Sequence, residues 1–234
     1  MQDSSPFPLG LREQREAAGA GDFMTGGLED PVSFWEERHA ALDPWKAGGD
    51  RGLSPEENHE FYAYRLGRII ELVRRHAGCE RGLRILDAGC GRGHFTDGLR
   101  RCGHQVTGID TSQTAIAWAT ENYGPHFERS SLHGYRPRAL FDVVICIDVL
   151  FHVLEDEVWR ASLAALGRAA AAESMLLVTD SFGQRRFSLG NYIVHRSVVE
   201  YDAALEDLDF RRRELIPYDF GSNPNRFAAY CRVV

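Results

Sequence analysis

The 234-residue sequence predicts an α/β fold with a mostly parallel sheet, and three observations carry that expectation. Short apolar runs alternate with helical stretches through the middle of the chain, which is the pattern of strands joined by crossover helices. The first of these runs ends in "LDAGCGRG", a glycine-rich turn of the kind that leaves a strand and opens a helix. The last two runs, "RRRELIPYDF" and "RFAAYCRVV", are separated only by the polar turn "GSNPN", so they should pair antiparallel at a sheet edge.

Taken in order, residues 1–29 are polar and aperiodic and read as a flexible arm, without the basic and apolar blocks of a secretory leader. "PVSFWEERHAALDPW" predicts a short helix, followed by a glycine-rich link at Ala47 to Gly52. "SPEENHEFYAYRLGRIIELVRRHA" predicts a long amphipathic helix. Ser54 is its N-cap, Pro55 its first position and Glu57 the partner of a capping box, and Phe61, Leu66, Ile69, Ile70 and Val73 recur at helical spacing. Residues 30–78 thus form a helical cap and residues 83–234 the sheet-bearing core. In that core "LRILDAG", "HQVTGID", "FDVVICIDVLFHV" and "SMLLVTDSF" predict four strands through Asp180, with helices over "TSQTAIAWATENY" and "EDEVWRASLAALGRAAAA". A Gly/Arg/aromatic segment follows, and then a helix whose capping box is Ser197 and Glu200.

Composition limits the function classes. A hydrophobic fraction of 44% and a charged fraction of 26% are those of a globular protein, and no apolar run is long enough to cross a bilayer. The five cysteines are scattered and lack C-x-x-C spacing, which argues against a disulfide framework and a zinc site and for a reduced cytoplasm. No other metal site is expected. A net charge of −7 lacks the basic excess of a phosphate-backbone binder, so the expected partner is a small molecule rather than nucleic acid or membrane.

The turn "DAGCGRGHF" discriminates between two ligands. A dinucleotide loop needs G-x-G-x-x-G, and counting from Gly89 its third glycine falls on His94. Asp87 instead precedes an alternating series, Gly89, Gly91 and Gly93. A carboxylate there repels a pyrophosphate and suits a cationic ligand. On these residues the sequence resembles the class I S-adenosylmethionine-dependent methyltransferases. The resemblance spans roughly residues 53–234 and extends in part to small-molecule enzymes of natural-product pathways.

The resemblance implies a Rossmann-like, seven-stranded, mostly parallel sheet with an antiparallel C-terminal strand and helices on both faces. It also implies S-adenosyl-L-methionine as cofactor and a hydroxyl or amine of a small metabolite as acceptor. Residue by residue it gives Asp87, Gly89, Cys90 and Gly91 to the methionine end of the cofactor. Asp110 closes the next strand and falls to the ribose hydroxyls, since one carboxylate can hold a vicinal diol. Thr111 and Ser112 either flank the adenine or cap the next helix. The family's acid near the adenine is replaced here by Ser130 and Ser131 before Leu132. Cys146 and Ile147 stand where backbone carbonyls commonly meet the cofactor's amino group.

A sulfonium methyl is already electrophilic, so the chain's main task is alignment and exclusion of water, with a base needed for a hydroxyl acceptor. Candidates at the strand C-terminal edge are His152, His195, Asp148 and Asp180. Each has a plain alternative as a locally bonded residue. Trp35, Phe61, Tyr62 and Tyr64 could close over the sulfonium or serve as core. Tyr64 and Arg68, one turn apart, could reach the cofactor carboxylate, or pack and solvate respectively. Arg185 and Arg186 could draw an anionic acceptor or line a solvated loop. Three other functions remain open: a nicotinamide-dependent oxidoreductase, a nucleic-acid methyltransferase, although no N-P-P-Y or D-P-P-Y tetrad follows the fourth strand, and a catalytically silent cofactor-binding partner.

Overall fold

The computed structural model describes residues 31–77 and 82–233; the expected arm over residues 1–29 and Cys79 lie outside the described residues. Three helices precede the sheet: α1 (Pro31–Ala41), α2 (Pro44–Ala47) and α3 (Pro55–Ala77). The start of α2 is fixed by Asp43, whose Oδ1 accepts from the Trp45 N–H at 2.9 Å. At the start of α3 the expected capping box is present. The Glu57 N–H donates to Ser54 Oγ at 3.1 Å, and the Ser54 N–H donates to Glu57 Oε2 at 2.7 Å.

The core runs β1 (Arg84–Ala88), α4 (His94–Arg101), β2 (Gln105–Asp110), α5 (Gln113–Tyr123), β3 (Phe127–Arg129) and β4 (Phe141–Cys146), then a 3-10 turn at Leu150–His152. It continues with α6 (Asp156–Ala169), β5 (Ala170–Asp180), the strands β6 (Phe187–Leu189) and β7 (Ile193–His195), α7 (Val198–Glu206), β8 (Phe210–Pro217) and β9 (Arg226–Arg232). Seven strands form one sheet in the order β3-β2-β1-β4-β5-β9-β8, parallel except for β9, which is antiparallel to both β5 and β8. The C-terminal pair is therefore antiparallel at the edge, as the missing helix between them predicts.

Successive residues of the central strands bury on opposite faces. Leu86, Val144, Leu176 and Ala228 join α6 and α7 residues such as Trp159, Leu163 and Tyr201 in one core. Ile85, Val143, Leu177 and Phe227 join Phe61, Ile69 and Leu72 of α3 and Leu99 of α4 in the other. Covering both faces is why these strands are written as continuous apolar runs.

The structure departs from the predicted elements in two places. Five strands rather than four precede Ser181, because β3 is three residues long with Glu128 and Arg129 exposed, so no apolar run marks it. The Gly/Arg/aromatic segment contains the small hairpin β6-β7, with Phe187 opposite His195.

The order β2-β1-β4-β5 reverses direction between β1 and β4, so the loops leaving their C-terminal ends diverge and open a crevice. The cap helices lie over it. Glu36 of α1 accepts from Ser112 Oγ at 2.7 Å and from the Thr114 N–H at 3.1 Å, which ties α1 to the start of α5. Arg92 donates from Nη2 to the His39 carbonyl at 2.5 Å, tying the same helix to the glycine-rich loop.

Candidate active site

The crevice floor is the turn after β1. Gly89 and Cys90 both donate their N–H groups to the Ile109 carbonyl, at 2.8 and 2.9 Å, which anchors the loop on β2. Gly89 has φ +81°, and a Cβ built there would lie 2.3 Å from Val149 Cγ2, so this loop and the loop after β4 are in direct contact. Gly91, at φ +52°, has space for a side chain but not the backbone conformation for one. Its N–H donates to Asp110 Oδ2 at 2.8 Å, while the Ser112 N–H donates to Oδ1 at 2.9 Å. Two backbone bonds thus fix the Asp110 carboxylate at the cavity wall, and burial raises its pKa above the ordinary carboxylate value.

The cavity collects Gly89, Cys90 and Gly91 from the first loop, Asp110 and Thr111 from the end of β2, and Ser130 and Leu132 beyond β3. From the end of β4 come Ile147, Asp148, Val149 and His152. The cap contributes Trp35, His39, Tyr62 and Arg65, and α4 contributes His94 and Phe95. Twelve of the residues singled out from sequence therefore share one cavity: Trp35, Tyr62, Gly89, Cys90, Gly91, Asp110, Thr111, Ser130, Leu132, Ile147, Asp148 and His152.

The other candidates do not line it. Asp87 is buried beneath the loop, where Thr96 Oγ1 donates to its Oδ2 at 2.6 Å, and burial pushes its pKa up to about 7. Ser112 is the N-cap of α5, its Oγ accepting from the Ala115 N–H at 3.1 Å, so of the two roles open to it the structure gives the helix cap. Ser131 spends its hydroxyl accepting from the Gly134 N–H, and it is Ser130 that reaches the cavity. Cys146 is fully buried in the α6 and α7 core, and burial raises its thiol pKa.

Tyr64 and Arg68 are displaced because α3 faces the cavity through Tyr62 and Arg65, while Phe61 packs in the core. One residue out of phase turns a side chain by about 100°. The Tyr64 ring tilts against Phe220 at 5.6 Å, and Arg68 pairs with Glu71 at 2.7 Å.

Asp180 and His195 form a buried pair off the cavity. His195 Nδ1 is 2.5 Å from Asp180 Oδ1, and the Tyr201 hydroxyl donates to Asp180 Oδ2 at 2.8 Å. They clamp the end of β5 to β7 and α7. Arg186 is likewise occupied, bonding Asp156 and Glu200.

Asp148 does line the cavity, but its carboxylate is committed. Its Oδ1 accepts from the Tyr218 hydroxyl at 2.8 Å, from Thr179 Oγ1 at 3.1 Å and from Asn225 Nδ2 at 3.3 Å, and its Oδ2 accepts from Arg65. Both of its oxygens are thus occupied by donors of the protein itself. His152 is different. Its Nδ1 lies 3.0 Å from the Tyr192 carbonyl, and burial lowers its pKa to about 4, so it stays neutral at neutral pH.

Arg65 is the residue that sequence reasoning passed over. It is 2% exposed, with its guanidinium 3.9 Å from the Phe61 ring centroid and 4.4 Å from that of Tyr62. Nη1 holds Asp148, whereas Nη2 is buried without a partner. The available signal was an arginine four residues after Phe61 and four before Ile69, a charge in phase with an apolar stripe.

The methyltransferase-domain family model matches residues 59–214. The chain is 36% identical over 114 residues to a ubiquinone biosynthesis O-methyltransferase of Rickettsia bellii, covering 47% of this chain and 46% of that protein. To the protein of that name from Bradyrhizobium diazoefficiens it is 35% identical over 120 residues, covering 46% and 47%. The chain thus spans about half the length of the curated relatives it matches. Among solved structures, magnesium protoporphyrin IX methyltransferase (ChlM) from Synechocystis superposes with a TM-score of 0.67 at 22% identity, over 89% of this chain and 100% of that one. The N-methyltransferase NodS from Bradyrhizobium japonicum gives 0.67 at 16% identity, over 88% and 100%. With the family model matching well over half of the sequence, the chain belongs to the methyltransferase-domain family.

Proposed function

We propose that the cavity binds S-adenosyl-L-methionine and that the protein transfers its methyl group to a hydroxyl or amine of a small molecule. The observation that carries this reading is a pair of charged groups of opposite sign in one cavity. Asp110 is held by two backbone N–H groups, and the buried Arg65 has an unpartnered Nη2. An orphaned guanidinium nitrogen at a cavity wall fits a carboxylate, and an anchored carboxylate fits a diol; an amino-acid nucleoside carries both.

When bound, the cofactor supplies a methyl group on a positively charged sulfur. Asp110 would hold the ribose hydroxyls and Arg65 the cofactor carboxylate. The bare backbone at Gly89 and Gly91 would admit the methionine chain, and Thr111, Ser130, Leu132 and Ile147 would enclose the base. Trp35 and Tyr62 offer aromatic faces to a cation. His152, neutral and in the cavity lining, is the base of this reading in place of Asp148, Asp180 and His195. The cap shields the reacting atoms from water.

A small acceptor suits a chain of net charge −7 better than a nucleic acid does. Cys90, Cys102, Cys146 and Cys231 are free thiols, which suits the cytoplasm.

Calorimetry tests the reading. S-adenosylhomocysteine should bind and NADH should not. Asp110→Ala, which removes charge-assisted bonds, should weaken binding by about a hundredfold. Binding of NADH alone, or unchanged affinity in Asp110→Ala, would refute it.

A further inference from the structure

His39 is a polar group in the cavity wall that no hydrogen bond of its own ring explains. It stands in the last turn of α1 and is 3% exposed, yet it lines the main cavity. Its Nδ1 is buried without a hydrogen-bond partner, and its Nε2 has none among the described residues. A buried imidazole with both nitrogens unused is costly, and the cost is recovered if a ligand supplies the missing partner. Resting on the methyl-donor reading above, we infer that His39 is a cofactor-binding residue. Its Nε2 donates to a ribose hydroxyl oxygen whose proton Asp110 accepts, so the diol is held from both sides and the cap selects an intact ribose.

Gly91 fixes the place. Its N–H donates to Asp110 Oδ2 at 2.8 Å, and a Cβ built on the same residue would lie 3.5 Å from His39 Cε1 and 3.8 Å from His39 Nε2. Asp110 and the Cε1–Nε2 edge of His39 therefore flank one residue, and a hydroxyl seated on the carboxylate lies in the space that the imidazole overlooks. Ser112 couples the two partners. Its N–H donates to Asp110 Oδ1 at 2.9 Å, and its Oγ donates at 2.7 Å to Glu36, three residues before His39 in α1. The His39 carbonyl itself accepts from Arg92 Nη2 in the glycine-rich loop.

Hydrogen-bond chemistry sets the direction. Burial, with the nearby guanidiniums of Arg92 and Arg38, lowers the His39 pKa to about 4, so at neutral pH the ring is neutral and carries one proton. That proton belongs on the nitrogen that can find an acceptor. Nδ1 is enclosed without one, so Nε2, on the edge facing Gly91, is the donor. A hydroxyl that gives its proton to Asp110 keeps its oxygen lone pairs and can accept from His39. A cofactor ammonium has donors only and would meet the imidazole N–H as donor against donor.

The test is displacement calorimetry on the full chain with S-adenosylhomocysteine and its 2′-deoxy and 3′-deoxy analogues. His39→Leu should weaken S-adenosylhomocysteine about tenfold, the loss of one buried hydrogen bond. His39→Gln, whose amide N–H has nearly the reach of Nε2, should recover most of that affinity. For the one deoxy analogue that lacks the accepting oxygen, wild type and His39→Leu should bind alike. Unchanged affinity in His39→Leu, a loss of equal size on all three ligands, or a loss that His39→Gln does not recover would overturn the inference. The two readings separate on wild type. If it binds S-adenosylhomocysteine, the methyl-donor reading survives whichever way the His39 comparisons fall; if it does not, that reading falls and this inference with it.

Discussion

At Gly89 two constraints coincide on one atom. Its φ of +81° is costly for an L-residue, and the space a Cβ would need is filled by Val149. Gly89→Ala should destabilise the chain by more than the 1–2 kcal/mol or so of the backbone penalty. Val149→Ala in the same chain should recover the steric part and leave the backbone part. Denaturant midpoints of the three variants measure this, and an unshifted midpoint in Gly89→Ala would sink the argument. Single residues of this kind were legible where chemistry and spacing agree: Asp110 ends an apolar run, and the glycines recur at every second position. Asp87 was legible as an acid but not as a buried one, because its hydroxyl partner Thr96 is nine residues away. Arg65 was hidden because the phase of α3 against the sheet is set by packing, and Tyr64 with Arg68 repeats the aromatic–arginine spacing of Phe61 with Arg65 three residues further on.

The cap is an element held down by neutral imidazoles. Burial lowers His39, His94 and His152 from 6.5 to about 4. His94 stacks on Trp45 of α2 at 4.0 Å, with His59 on the other face of the same indole at 4.3 Å. His94 thus fills the place of a third loop glycine because it seats α2, a role no short motif records. The pH dependence follows from the direction of the shifts. Between pH 6.5 and 4 the unfolded chain binds protons that the folded one does not, so stability rises with pH in this window and is lost on acidification. Protection of the amides in Pro31–Ala47 relative to their intrinsic exchange rate should fall from pH 7 to pH 5, and His94→Asn should flatten that response. Protection factors indifferent to pH would show that these rings do not hold the cap. Elements with a capping box, α3 and α7, were readable from sequence because the signal is local. The strands β3, β6 and β7 were not, since each is three residues long and carries no long apolar run; β3 is placed by its pairing with β2, and β6 and β7 by pairing with each other.

Across the whole molecule, Asp148 joins parts that are far apart in the chain. Arg65 comes from the cap, Thr179 from β5, and Tyr218 and Asn225 from the two ends of the β8-β9 turn. Asp148 itself stands at φ +58°, a conformation that its neighbours must enforce. The sheet order was readable from the alternation of runs, but this convergence was not, because it depends on four elements meeting at one strand end. Its consequence is that the C-terminal edge of the sheet orients the cap arginine. Tyr218→Phe removes one donor from Asp148 without touching the cavity wall, and it should cost about 1 kcal/mol of stability. Because Asp148 then holds Arg65 less firmly, affinity for S-adenosylhomocysteine should fall several-fold, by a route that needs no contact between Tyr218 and the ligand. In an Arg65→Met background the same substitution should change affinity no further, since the group it positions is gone. A double-mutant cycle by calorimetry decides the matter. Equal losses from Tyr218→Phe with and without Arg65 would mean that the C-terminal strands act on binding by some route other than this carboxylate.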